Sequence, residues 1–186
     1  SSAIVRYLPE GELDPSFGTG GKMLFPGGGD WELVESIALQ SDGKILIGGN
    51  VDSEMTIWRF NADGTPDPGF GVASKVVVPA GSGTVRAISV QSDGTILIAG
   101  NTSLAAQNVA FLVAKYSQTG VLDNSFGTAG LAIMKFDESQ LRSYAHAVAV
   151  QSDGKIIIGG RTHPSLISGT EQFALARLNT NGALDL

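Results

Sequence analysis

The chain has 186 residues, a formal net charge of −6 and no cysteine, which is enough length for a well-buried domain. The charge speaks against a phosphate-backbone partner, which needs clustered Lys and Arg. The missing cysteine excludes disulfides, zinc-thiolate sites and cysteine nucleophiles, and no apolar run approaches the ~18 residues of a membrane span. The 25 glycines fall where turns are expected, and no window shows a capped helical period, so many short strands are predicted. Ser1-Ser2-Ala3 carries no signal-peptide pattern.

In chain order, a short strand is predicted over 3–8, a turn at Gly11, then Leu13-Asp-Pro-Ser-Phe-Gly18 and a second strand over 22–25. The unit returns at 56–61 with Gly64, Pro66-Asp-Pro-Gly-Phe-Gly71 and 75–79. It returns again at 111–117 with Gly120, Leu122-Asp-Asn-Ser-Phe-Gly127 and 131–136, and in truncated form at 173–179 with Gly182 and Leu184-Asp185. Between neighbouring units sits a second motif, SIALQSDGKILIGG (36–49), AISVQSDGTILIAG (87–100) and AVAVQSDGKIIIGG (147–160). Asp-Gly between β-branched runs is a strong hairpin signal, because Gly accepts the positive φ of the turn. The turn glycines Gly11, Gly64, Gly120 and Gly182 recur every 53 to 62 residues, so one period holds four strands: A (IALQ type), B (KILIGG), C (TIWRF) and D (KVVVP).

The reading is all-β: β-propeller blades of four antiparallel strands, three repeat units plus a partial fourth. The units lie at about 3–54, 55–108, 109–172 and 173–186 in one domain. An open β-solenoid is the runner-up, but its repeats are shorter and parallel. The A strands put Ile37/Leu39, Ile88/Val90 and Val148/Val150 on one face and small residues on the other, as stacked sheets require.

The stretches FLVAKYSQTGVLDNSFGTAG (111–130) and FALARLNTNGALD (173–185), with ALQSDGKILIGG (38–49), resemble the delta-60 repeat, a bacterial propeller-type repeat without an assigned function. The A–B hairpin resembles NHL-type blades, whose equivalent of strand A lines a central channel. The resemblance implies a phase of C–D, two full blades (34–79 and 84–136), then A–B–C. The strand at 22–25 would then close the last sheet. Three blades fall short of the ~4–8 usual in propellers. The chain is therefore either part of a longer array, with the remaining blades in a longer parent chain, or one half of a homodimeric six-bladed ring.

In antiparallel blades the near-invariant A–B and C–D turns share one end. The B–C connections (50–55, 101–109, 161–172) and D–A connections (26–33, 80–83, 137–143), variable in length, share the other. The variable end is the candidate binding face. Trp31 between Asp30 and Glu32 would suit a sugar. Glu35, Arg86 and His146 hold matching positions at the start of strand A and would gather near the channel mouth. Arg6, Arg59, Lys115 and Arg177 precede Asp14, Asp67, Asp123 and Asp185 by eight residues each, a spacing that suits structural ion pairs across the C–D hairpin.

The Asp63-Gly64 turn lacks the acidic spacing of an EF-hand. The chain holds no G-x-S-x-G, HExxH or phosphate-loop motif, and its two histidines are too few for a three-His zinc site. No catalytic residue, cofactor or metal is assigned. The leading reading is a non-enzymatic binding scaffold of a larger bacterial surface or secreted protein, with a carbohydrate or protein ligand. A propeller hydrolase or lyase working at the channel mouth, and an excised repeat fragment without independent function, are the alternatives.

Overall fold

The computed structural model describes residues 2–25, 32–105, 108–136, 142–163 and 170–186. They form twelve strands: β1 (Ala3–Val5), β2 (Lys22–Leu24), β3 (Glu32–Leu39), β4 (Ile45–Val51), β5 (Glu54–Phe60), β6 (Lys75–Val90), β7 (Ile96–Ala105), β8 (Asn108–Tyr116), β9 (Leu131–Met134), β10 (Arg142–Val150), β11 (Ile156–His163) and β12 (Gln172–Leu178). No helix occurs among the described residues, so none there is long and apolar enough to cross a membrane.

Pairing is antiparallel along β3-β4-β5 and onto the first half of β6, which gives a first sheet. The second half of β6 opens a second sheet with β7, β8 and β9. A third contains β10, β11 and β12, joined to the second by a single parallel pairing of Arg142 with Val109. β1 and β2 pair only with each other, as a separate hairpin.

The hairpin turns follow from their residues. Gln40 N–H donates to the Lys44 carbonyl (2.9 Å) and Gly43 N–H to the Gln40 carbonyl (3.0 Å). Gly43 sits at φ 82°, which an L-residue rarely adopts. Asp42 Oδ1 accepts the Lys44 N–H at 3.1 Å, an Asx turn repeated by Asp93 on Thr95 and Asp153 on Lys155. The carboxylate of Asp63, the residue that suggested a calcium loop, likewise accepts the backbone N–H and hydroxyl of Thr65.

The expected loops proved shorter. Residues 80–83 are strand rather than a D–A connection: β6 runs unbroken through Ala80-Gly-Ser-Gly83, and Ser82 pairs with Glu54. Small side chains let the strand pass from one sheet to the next, and Gly83 N–H bonds the Ser53 carbonyl at 2.8 Å. The 50–55 connection reduces to a two-residue turn, Asp52-Ser53, at φ 47° and 72°, the mirror-image turn that matches strand twist. The 101–109 connection shortens as well, because β7 runs to Ala105 and β8 begins at Asn108. The expected closure of the last sheet by residues 22–25 does not occur within the chain. β2 bonds β1 instead, and Met23 and Phe25 pack on the first sheet beside Ile45, Trp58 and Phe60.

The core lies between the sheets. One apolar cluster joins the β1–β2 hairpin to the first sheet, with Phe25 edge-on to Trp58 at 4.8 Å. A second joins the first and second sheets through Leu46, Ile57, Val85, Ile98 and Leu112. A third joins the second and third through Phe111, Val113, Ala145 and Ile158. Each junction carries the same wedge. Phe17, Phe70 and Phe126, all fully buried, sit against the turn glycines Gly64, Gly120 and Gly182 of the following sheet. Beside each wedge the next residue's N–H crosses the junction: Gly18 to the Asp63 carbonyl (2.8 Å), Gly71 to Thr119 (3.4 Å) and Gly127 to Asn181 (2.7 Å).

Gly11 has the same backbone, φ 91°, but nothing lies within 4 Å of a side chain placed there. An added Cβ at Gly120 would lie 2.8 Å from the Phe70 ring. Gly120→Ala is therefore expected to cost about 1–3 kcal/mol more than Gly11→Ala, the overpacking increment beyond the shared φ strain. Urea unfolding of the two variants measures the difference, and equal losses would show that the ring simply moves aside.

Candidate binding site at the strand bulges

β3, β6 and β10 each break register with the strand that follows at one residue. Pairing of β3 with β4 shifts between Val34 and Ser36, of β6 with β7 between Val85 and Ala87, and of β10 with β11 between Ala145 and Ala147. The extra residues are Glu35, Arg86 and His146, the three singled out at the start of strand A. A bulge leaves its residue unpaired and re-aims its side chain.

The partner strand answers with glycine. A Cβ at Gly49, Gly100 or Gly160 would collide with the carbonyl oxygen of Leu33, Thr84 or Tyr144 respectively. The repeated glycine at the end of strand B is thus the sequence signal of the bulge.

The bulges bring these residues together. Arg86 Nη1 stands 3.4 Å from Glu35 Oε1, bridging two sheets, and Arg86 Nε donates to Asn101 Oδ1 at 2.9 Å. Arg86 and Arg161 both face the Tyr144 ring, at 5.8 and 5.4 Å from its centroid. Arg161 Nη1 donates to both Glu171 oxygens, at 2.8 and 3.0 Å, and His163 Nε2 lies 3.1 Å from the same carboxylate. Desolvation and the Arg86 and Arg161 cations lower the pKa of His146, outweighing the Glu35 and Glu171 carboxylates, which favours its neutral form. Arg161 Nε and Asn50 Oδ1 are buried and have no hydrogen-bond partner among the described residues.

Tyr144, Arg161, Glu171 and the Asn50/Asn101 pair were not singled out from the sequence. Asn50, Asn101 and Arg161 each directly follow the bulge glycine, and that shared position was the available signal. Asp30 and Trp31 lie outside the described residues.

The eight residues spaced for ion pairs occupy the opposite end. Arg6 Nε lies 2.7 Å from Asp14, Arg59 Nε 2.6 Å from Asp67, Lys115 Nζ 3.3 Å from Asp123 and Arg177 Nε 2.5 Å from Asp185. Lys44 and Lys155 add a second cation to Asp67 and Asp185, each at 3.0 Å. At this end the two turn types of each sheet adjoin, with Gly43 facing Ala62, Gly94 facing Gln118 and Gly154 facing Thr180. These groups clamp turns, and the Asp carboxylates are engaged by neighbouring Ser, Gly or Lys groups as well.

A family model described as "Domain of unknown function (DUF5122) beta-propeller" matches residues 1–17, 40–70, 91–126 and 151–186. These segments hold the turn regions and strands B and C, and the matched stretches omit the bulge residues Glu35, Arg86 and His146. No curated protein matches the chain.

Proposed function

Since the chain belongs to the DUF5122 beta-propeller family, we propose that each four-stranded sheet is one blade of a delta-60-type repeat and that the chain is a non-enzymatic binding scaffold. It serves as a module of a larger bacterial surface or secreted protein, with its ligand held at the end of the blades that carries the variable connections. The observation behind this reading is the bulge cluster. One extra residue per sheet, different in each (Glu35, Arg86, His146), converges with Tyr144 and Arg161, whereas the opposite end repeats one ion-pair motif. A rigid repeated frame with a non-repeated polar cluster is the usual layout of a recognition surface. Two guanidinium groups, an aromatic ring and paired carboxylates suit the hydroxyls and carboxylates of a glycan.

The test is a screen of neutral and uronic-acid oligosaccharides, followed by titration of the Arg86→Ala/His146→Ala double variant. Binding weakened at least about tenfold, with an unchanged melting temperature, is the expected outcome. Ligands that bind equally well to the double variant, or at the ion-pair end, would refute the assignment. His146, exposed and with its neutral form favoured by desolvation and the Arg86 cation, also supports a second reading as the base of a hydrolase or lyase. That reading requires turnover of a bound glycan that His146→Ala abolishes.

A further inference from the structure

The two end faces of the chain are made of the same parts as its interior junctions, and each lacks what the other has. Gly48 on β4 is the first part. A side chain placed on it would meet Val85 Cγ1 at 2.6 Å and Ile88 Cδ1 at 3.1 Å, because those two side chains of the next sheet fill the space above it. By strand register the third sheet carries Gly159 at this position: Gly48 pairs with Ile57, and Gly159 with Leu175. Among the described residues only Leu175 Cδ1 comes near Gly159, at 3.9 Å, so the hollow is uncovered by them.

The matching knobs stand at the other end. Val34 and Ile37 of β3 occupy the bulge register of Val85 and Ile88. Val85 is fully buried and Ile88 packs against the core, yet Ile37 is 57% and its neighbour Leu39 68% exposed. Among the described residues nothing covers them, since the β1–β2 hairpin beside them supplies strands C and D of a blade but neither A nor B.

The outer strands repeat the argument. Phe173 and Leu175 are 81% and 59% exposed, while their register equivalents in the second sheet, Phe111 and Val113, are fully buried by the third. The free edge of β12 borders a groove of about 690 Å³ against β9, where a fourth strand would lie. The chain's own unshared D strand is β2.

We propose that a second copy of this chain docks head to tail on these faces, so that β10, β11 and β12 of one copy and β2 of the other form a composite four-stranded blade. Val34 and Ile37 enter the hollow over Gly159 of the second copy. Met23 pairs opposite its Leu175, as Val76 pairs opposite Ile57 within the first sheet. β2 keeps its packing on its own first sheet, and β12 replaces β1, whose pairing spans only the three residues Ala3–Val5. Knob and hollow lie on opposite ends, so the contact is heterologous, and two such seams close a ring of six blades. The pairing also removes two open sheet edges.

The test is light scattering across a concentration series, with three samples. Wild-type chain is expected at twice the 19.2 kDa of one chain. Ile37→Asp and Gly159→Val each spoil one face, and each is expected to raise the dissociation constant at least about tenfold. Both sites are uncovered in the single chain, so the variants should keep the wild-type circular dichroism spectrum, which separates a lost seam from a lost fold. Mixed one to one, the two variants retain one intact seam and should associate more tightly than either alone. A wild type that stays monomeric up to about 100 µM, or association untouched by both substitutions, overturns the proposal. So does a mixture that associates no better than its parts. The glycan assay turns on Arg86 and His146, which neither seam variant alters, so either reading can fail without the other.

Discussion

Phe70→Ala is expected to destabilise the chain by about 3–5 kcal/mol, the range for emptying a buried phenylalanine site. The ring is fully buried in the junction between the first and second sheets, in the cluster with Ile57, Val78 and Leu112. Its edge fills the turn at Gly120, and the Arg59 guanidinium lies over its face, 4.6 Å from the centroid. The cavity cannot close easily, because the turn glycine has no side chain to swing inward and the Arg59 guanidinium is held on Asp67. In a stacked repeat, stability is close to a sum of nearest-neighbour terms, so the position of the wedge matters as much as its size. Phe70 joins two four-stranded sheets and its loss should shift the main unfolding transition. Phe17 joins only the β1–β2 hairpin to the first sheet, so Phe17→Ala should free the hairpin and leave the main transition in place. Urea unfolding followed by circular dichroism, with hydrogen exchange at β2, separates the two. A loss under about 1 kcal/mol for Phe70→Ala would assign the junction to the strands alone.

The parts that sequence made legible are those governed by single residues. Asp-Gly turns fixed the hairpins, because the φ that Gly43 and Gly64 adopt leaves few other residues able to serve. Alternation on strand A located the buried faces, since Ile88 and Val148 line junctions while their small neighbours face the other way. What was missed depends on pairing between distant segments. Residues 80–83 look like a Gly-Ser loop, yet Glu54 and Thr102 hold them as strand from either side. The closure by residues 22–25 followed from strand order alone, and it failed because Met23 and Phe25 are fastened to Trp58 and Phe60, at the opposite end of the stack from β12.

The bulge cluster was half visible. Its three A-strand members share a repeat position, but the bulge that turns Glu35, Arg86 and His146 out of register is a property of the ladder. Only the recurrent glycines at 49, 100 and 160 hint at it. Tyr144 and Arg161 stack in one copy of the repeat only, so comparing copies could not have found them.

Arg59→Ala carries the other large effect, and acid separates its causes. Arg59 is buried, with Nε on Asp67 at 2.6 Å, Nη2 on the Gly69 carbonyl at 3.4 Å, and Nη1 donating to Gln40 Oε1 at 3.4 Å and to the carbonyl of Gln118 in the next sheet. Removing it leaves Asp67, itself buried, with Lys44 as its remaining charged partner, and strips a carbonyl at the junction of its donor. A loss of about 3–5 kcal/mol is expected, as for breaking a buried ion pair from one side. Burial works to raise the Asp67 pKa, but hydrogen bonds from Lys44, the Gly69 N–H and Arg59 outweigh it and hold the carboxyl below its ordinary 3.8. A depressed carboxyl contributes stability above its unfolded pKa and loses it as pH falls through the folded value. The gap between wild type and Arg59→Ala should therefore be widest near neutrality and narrow below about pH 3.8. The residue that persists in acid is the lost Gln118 bond and the contact with Phe70, which do not titrate. Guanidinium unfolding at neutral and acid pH reads both quantities. A gap that stays constant with pH would mean that Arg59 acts as a junction wedge, and that Lys44 alone satisfies Asp67. Arg6→Ala should cost far less, because the pair it forms with Asp14 is open to water.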